Sequence, residues 1–314
     1  MCTYYASPGG ANYGPGTRRR PFRTFQRLSD ALRPGETGCL RAGIYVQNPD
    51  VQRGGTPSQP VTIRSYPGEL AQLDGTIWVQ SSAPYVRIDD MKLCGSPGPP
   101  SCLGQNFSSG QSTGIDVSAD HTTLRGDDIS SPGGICLLLG TSTGNDGRSG
   151  PGDSSLVTHN RIHFCGGTPG SSNEIEGIYD QYSSGSTIVH NLIYHNAAMG
   201  IQFYPGAQRT TFEYNTLWDN GEGVVFGGSD GVTSNYNLVE YNSISDSVGR
   251  WNIESFWPEG VGTGNVAAHN CLHADNPSQD GYYDTNDGVQ PAAQGGIGFR
   301  SFSERCSASE ASHR

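Results

Sequence analysis

The sequence predicts an all-β solenoid folded as a single domain, with a short helix capping its N-terminal end. Two repeated patterns carry that reading. The first is an apolar residue, Asn three positions on, and a second apolar residue two further: Val157/Asn160/Ile162, Ile188/Asn191/Ile193, Phe212/Asn215/Leu217, Val239/Asn242/Ile244 and Ala267/Asn270/Leu272. These asparagines are 31, 24, 27 and 28 residues apart, a period typical of stacked repeats. The second pattern is Gly before a β-branched residue, in Gly177-Ile178, Gly200-Ile201 and Gly223-Val224, at intervals of 23 residues. Each repeat therefore has room for roughly three short strands separated by turns. No single repeat encloses a core, but stacked coils bury one continuous apolar interior.

The elements follow in chain order. Phe22, Phe25, Leu28 and Leu32 recur at helical spacing between Arg20 and Leu32, and Pro34-Gly35 ends the pattern. An amphipathic helix there covers strand edges that would otherwise be free to pair with another chain. Weaker repeats begin near Val61: Val86 to Leu93 places Met91 in the Asn column, and Leu124 to Ile129 places Asp127 there. Gly114-Ile115 and Gly134-Ile135 extend the Gly column. An Asn buried at a fixed turn bonds the backbone of its own coil and the Asn of the next, which is why a polar residue recurs where Val or Leu would pack better. After Leu272 the pattern fades into Gly- and Asp-rich sequence. The expected organisation is a cap and first coil over 1–50, repeats over 51–275, and an irregular cap and tail over 276–314.

The chain resembles the right-handed parallel β-helix proteins of the pectate-lyase-like superfamily. Outside the repeats, the resemblance is carried by Tyr4 to Thr17, by Pro21-Phe22-Arg23-Thr24, and by Arg33-Pro34-Gly35 through Leu40 to Tyr45, which look like the cap and first coil of secreted bacterial members. It implies a right-handed parallel β-helix with its substrate cleft on the sheet whose strands begin at the Gly/β-branched pairs. The reaction is less defined, because the superfamily includes polysaccharide lyases, hydrolases, epimerases and phage tailspikes, and fold alone does not assign a function.

Composition narrows the partners. The formal net charge is −11, and Lys92 is the only lysine, so nucleic acid is excluded as an expected partner. An acidic polysaccharide would need a local Arg patch or a bridging cation. Eight cysteines without a CxxC spacing point to disulfides. The expected pairs are Cys2 with Cys39, Cys94 with Cys102, Cys136 with Cys165, and Cys271 with Cys306. Oxidised cysteines imply a secreted protein, with the initial Met standing where a removed signal would end. No apolar run suits a membrane, and a monomer is expected.

Alternation along the Gly/β-branched strands turns Ile178, Ile201 and Val224 inward, and Tyr179, Gln202 and Val225 outward, with Gln181 and Tyr204 outward two residues on. Asp180 then falls in the inward column with Phe203 and Phe226, where a carboxylate must be paired or protonated. Glu176 and Glu222 occupy equivalent positions in register with Met199, about 10 Å apart at roughly 4.8 Å per coil. Tyr182, Tyr194, Trp251, Phe256 and Trp257 add aromatic surface suited to sugar rings.

Three reactions compete for these residues. Elimination from a uronate, the first reading, needs a base, for which Tyr179, Tyr204 or His195 are candidates, and a neutralising group, for which Arg209 or Arg250 are candidates. Hydrolysis, the second reading, draws on Asp180, Glu176, Glu222 and Glu254. Tyr179-Asp180-Gln181 departs from the Asp-Pro-His motif of related epimerases. Gln181, Tyr182, Gln202, Trp251, Glu254 and Trp257 are the expected substrate contacts. A non-catalytic glycan-binding solenoid is the third reading. Asp89, Asp90, Asp127 and Asp128 supply oxygen ligands for a possible Ca²⁺ site, although solvated Asp turns also explain them. The histidines beside the Asn turns are read as a side-chain stack.

Overall fold

The computed structural model describes residues 1–95, 113–141, 150–172, 174–229, 231–249, 251–255, 262–273, 282–284 and 297–298. Among these residues, the strands form three parallel sheets of eleven, nine and nine strands, and one two-stranded antiparallel hairpin. One coil shows the path. Thr187–Val189 lies in the eleven-stranded sheet I, Leu192–Tyr194 in sheet II and Met199–Phe203 in sheet III, and Thr211–Glu213 returns to sheet I beside Thr187–Val189. The interior holds one side-chain column or two from each sheet, including Ile188, Ile193, Ile201 and Phe203, all fully buried. Each such burial contributes about 1.5–3 kcal/mol.

The corners explain the Asn repeat. Residues just before the ladder position adopt a left-handed backbone, as at His159 (φ 58°), His190 (φ 59°), Tyr214 (φ 55°), Tyr241 (φ 57°) and His269 (φ 54°). That conformation costs about 1–2 kcal/mol per non-glycine residue. The following asparagines offset the strain: Asn191 Nδ2 donates to Asn215 Oδ1 at 3.0 Å and to the Val157 carbonyl at 3.0 Å, while Asn215 Oδ1 also accepts from Asn191 N at 2.9 Å. The same arrangement links Asn160 to Asn191, Asn215 to Asn242 and Asn242 to Asn270. Asp127 continues the column, accepting from Met91 N at 2.8 Å, and its amide donates to Asn160 Oδ1 at 2.9 Å.

Two further ladders stand at the other corners. Asn196 Nδ2 donates to Asn220 Oδ1 at 2.9 Å between sheets II and III, and Asn237 Nδ2 donates to Asn265 Oδ1 at 3.0 Å between sheets III and I. Only the first column is legible in the sequence, because the other two are shorter and hold Cys165, Ser247 and Thr210 in place of Asn.

The N-terminal helix is shorter than the hydrophobic spacing predicts, running Phe25–Ala31 with Thr24 as its N-cap. Phe22 is buried but stands outside the helix, because its backbone bonds Tyr5 and Ser7. The helix packs against Tyr4–Ala6, Thr37–Leu40 and Asp50–Val51, the first strands of sheets I and III. Beyond residue 275, Tyr282–Asp284 and Ile297–Gly298 add strands to sheets III and I, in a segment the sequence predicts to be irregular. Cys2–Cys39 and Cys136–Cys165 form disulfides as expected. The other two expected pairs involve Cys102 and Cys306, which lie outside the described residues.

Candidate active site

Sheet III carries the residues that alternation selects. Its register aligns Tyr179, Gln202, Val225 and Glu254 in one outward column, one coil apart. The columns on either side face inward: Ile178, Ile201, Val224 and Ile253 on one, Asp180, Phe203, Phe226 and Ser255 on the other. Val224 and Phe226 belong to the main core, whereas Val225 packs with Ala198 and Met199 in a separate small cluster. Glu222 stands in register with Met199, and Glu176 holds the equivalent place one coil earlier.

Three carboxylates are therefore buried along this sheet, at 2% exposure for Glu176, 3% for Glu222 and 1% for Glu254. Burial, reinforced by the charge of Glu174, pushes Glu176 up to about 8, so it carries a proton at neutral pH. Burial and the neighbouring Glu176 also push the Tyr179 phenol well above its ordinary range. Tyr179 therefore remains a hydrogen-bond donor and is poorly suited to the role of base. Its ring lies 6.3 Å from that of Tyr204, tilted by 32°. Gln181 follows on the same strand path and is half-buried, and Tyr182 is exposed beside it with φ 54°.

The site has two described walls. The hairpin of Gly228–Ser229 and Val232–Thr233 rises on one side. Gly206, at φ +77°, lies between them, where a Cβ would come within 3.0 Å of the Tyr182 ring and 3.1 Å of Val232. On the other side, the segment around Gly170 bonds across to the Ala197 carbonyl at 2.9 Å. Residues 96–112, 142–149 and 256–261, which include Phe256 and Trp257, lie outside the described residues, as does Arg250. Trp251 is half-buried, and its carbonyl accepts from Gly223 N at 3.0 Å.

Several expectations are corrected. Asp180 is fully buried inside the coil, where its carboxylate accepts from the Ser183 hydroxyl and from Thr210 Oγ1 at 2.7 Å. Burial raises it to about 6 despite those two bonds, and it does not face the cleft. His195 sits at the corner between sheets II and III, with Nε2 at 3.3 Å from Asp219 and its ring edge-on to Tyr194. Arg209 sits at the corner between sheets III and I, its guanidinium 5.3 Å over the Tyr236 ring. Neither residue joins the Tyr179 face, because the corners aim side chains away from it. Tyr194 belongs to sheet II and not to this face.

The four aspartates considered for Ca²⁺ do not converge. Asp89 pairs with Arg125 at 3.1 Å, Asp90 with Arg64, and Asp128 with Arg161 and with His163 Nε2 at 2.8 Å, while Asp127 is part of the Asn ladder. Among the described residues, no group of three or more His, Cys, Asp or Glu side chains is placed to hold a metal. These residues do not fit a Ca²⁺ site.

A second aromatic feature, not expected from the sequence, lies on sheet II. His163, Tyr194 and Trp218 stack on the outer face of sheet II at 4.8 and 4.2 Å, each pair within 5° of parallel. Its signal was present in the repeats, since each residue falls three positions after a ladder Asn. The expected histidine stack is also seen at the Asn corner, where His159, His190, Tyr214, Tyr241 and His269 follow one another at 5.2–5.4 Å.

The family described as "Right handed beta helix region" matches residues 102–272, more than half of the chain. Among curated proteins, the chain is 34% identical over 88 residues to the uncharacterized protein YwoF of Bacillus subtilis, covering 27% of this chain and 19% of that protein. It is 36% identical over 73 residues to pectate lyase PEL9 of Emericella nidulans, covering 23% of this chain and 18% of that protein. The chain thus spans under a fifth of the curated relatives it matches. Among solved structures, pectate lyase Pel9A superposes with a TM-score of 0.58 at 12% identity, over 97% of this chain and 89% of that one. At that identity the likeness concerns the fold. With three parallel sheets, Asn-lined corners and the family match over its repeats, the chain belongs to the right-handed β-helix family and has the pectate-lyase-like architecture.

Proposed function

We propose that this protein is a secreted polysaccharide-cleaving enzyme whose substrate lies along the outer face of sheet III, with Glu176 as the proton donor to the departing glycosidic oxygen. The observation that carries this reading is the burial of the Glu176 carboxyl, at 2% exposure, on the sheet that carries the Tyr179 phenol, a burial that raises it to about 8. Tyr179, Tyr204 and Gln181 supply ring surface and hydrogen-bonding groups for the sugar, with Tyr182 and Trp251 at its margins. The disulfides are consistent with an oxidising compartment.

Hydrolysis is the reaction the geometry supports best. As the C1–O bond breaks, Glu176 delivers its proton to the leaving oxygen, while a second carboxylate takes a proton from the water attacking C1. Glu222 lies two coils from Glu176, about 10 Å by strand spacing, near the upper end of the separation used in inversion. Glu254 is the alternative base.

Elimination is the second reading, favoured by the local identity to a protein named pectate lyase. It also needs a proton on the leaving oxygen, but it adds a base at C5 and a cation at the uronate carboxyl. Among the described residues, the outward column of Tyr179, Gln202, Val225 and Glu254 holds no Arg or Lys.

Incubation with xylan and with polygalacturonate separates the possibilities. New reducing ends without ultraviolet absorbance from an unsaturated product support hydrolysis. That absorbance would move the assignment to elimination, and neither signal on any glycan would overturn the enzymatic reading.

A further inference from the structure

We infer a second carbohydrate-binding site on the outer face of sheet II, in the slot above the Trp218 indole, separate from the cleft on sheet III and independent of any cleavage there. His163, Tyr194 and Trp218 occupy one outward column in consecutive coils, and their near-parallel planes lie across the solenoid axis. In the next coil the same column holds Ser245, directly in register with Trp218. The stack therefore ends at Trp218. Its indole has Tyr194 against one face, and among the described residues no ring meets the other.

The opening is built like a sugar site. Ser245 replaces a ring by a hydroxymethyl group, so the space above the indole is about one coil deep, roughly 4.8 Å at the backbone. Trp218 and Ser245 are both partly exposed. Thr216 and Ser243 pair in the adjacent outward column, and the corner beside the slot carries Asp219. Asp219 lies against His195 but keeps 38% of its side chain exposed. An apolar plane edged by hydroxyls and a carboxylate matches a pyranose, which offers C–H bonds on its face and hydroxyl donors at its rim. A carboxylate beside the slot selects a neutral sugar over a uronate. Tyr194 holds the indole flat, so little conformational freedom is lost on binding.

Native gel electrophoresis through soluble xylan, mixed-linkage β-glucan or polygalacturonate tests the site. The protein is expected to be retarded by at least one neutral glycan more strongly than by polygalacturonate. Trp218→Ala should weaken that retardation about tenfold, the loss of one good stacking contact. Because removing Trp218 also disturbs the stack, Ser245→Tyr is the second variant. It continues the ring column, should hold or raise the melting temperature, and should abolish binding by filling the slot. Lack of retardation by both neutral glycans, stronger retardation by polygalacturonate, or unchanged retardation in folded Ser245→Tyr would each overturn the proposal. The last outcome would place binding elsewhere, as on sheet III.

Discussion

The Asn corner between sheets I and II and the outer face of sheet III are built from the same coils but obey different rules. At the corner, one residue type recurs in every central coil, and each side chain repeats the same bonds to its neighbours. On sheet III the outward column changes at every step, from Leu138 to Tyr179, Gln202, Val225 and Glu254. Repetition marks where the backbone demands a fixed solution. Variation at fixed register marks where side chains are free to take on chemistry.

Substitutions at the two regions should therefore fail in different ways. The largest effect is expected from Asn215→Leu, which removes donors to the Ile188 carbonyl and Asn242 and acceptors for Asn191. Buried groups left unpaired cost about 1–3 kcal/mol each, so chemical denaturation should show a loss of about 4–6 kcal/mol. A loss below about 1 kcal/mol would mean that the ladder does not hold the corner.

Glu176→Gln should do the reverse, lowering turnover about 10²–10³-fold while leaving the fold intact. The pH dependence follows from the raised acid: activity should fall as pH rises through about 8. The folded form holds a proton between the ordinary range near 4.5 and about 8 that the unfolded chain has released, so stability should decline with rising pH across that window. In Glu176→Gln that part of the slope should disappear. Asp180→Asn, changing a carboxylate inside the coil, should leave kcat of the folded enzyme unaltered. An equal loss of turnover in both variants would erase the distinction between interior and cleft.

The disulfide between Cys136 and Cys165 ties the corner between sheets II and III to the start of a sheet III strand, where Cys136 N donates to the Glu176 carbonyl at 3.3 Å. Replacing both cysteines by Ser opens a loop with a sequence separation of 29 and should reduce stability by about 3–4 kcal/mol in a thermal or denaturant melt. Activity should fall only where the protein begins to unfold. The smallest effect is expected from Tyr241→Ala in the exposed stack on the Asn corner, about 1 kcal/mol with no change in turnover. A loss of activity there would assign that corner a role beyond support.

Much of the scaffold was legible because a solenoid repeats its requirements locally. Asn160, Asn191, Asn215, Asn242 and Asn270 could be aligned by spacing alone, and that alignment determined which residues of Ile178–Asp180 and Met199–Phe203 point outward. The shorter ladders at Asn196 and Asn237 were harder to recognise, since Cys, Ser and Thr substitute in their columns. The candidate site was legible only in part. Period 2 placed Tyr179 and Gln202 outward and Asp180 inward, but it did not show that Ser183 and Thr210 satisfy Asp180 within the coil.

The sequence by itself determined the solenoid, its register and the sheet on which to look, because periodic burial and corner chemistry recur at short range. Only the tertiary structure separated Glu176 from Asp180, moved His195 and Arg209 to the corners, and ended the sheet II ring stack at Trp218. Those outcomes depend on contacts between coils 24 to 31 residues apart, where desolvation and alignment arise from neighbours that local pattern does not specify.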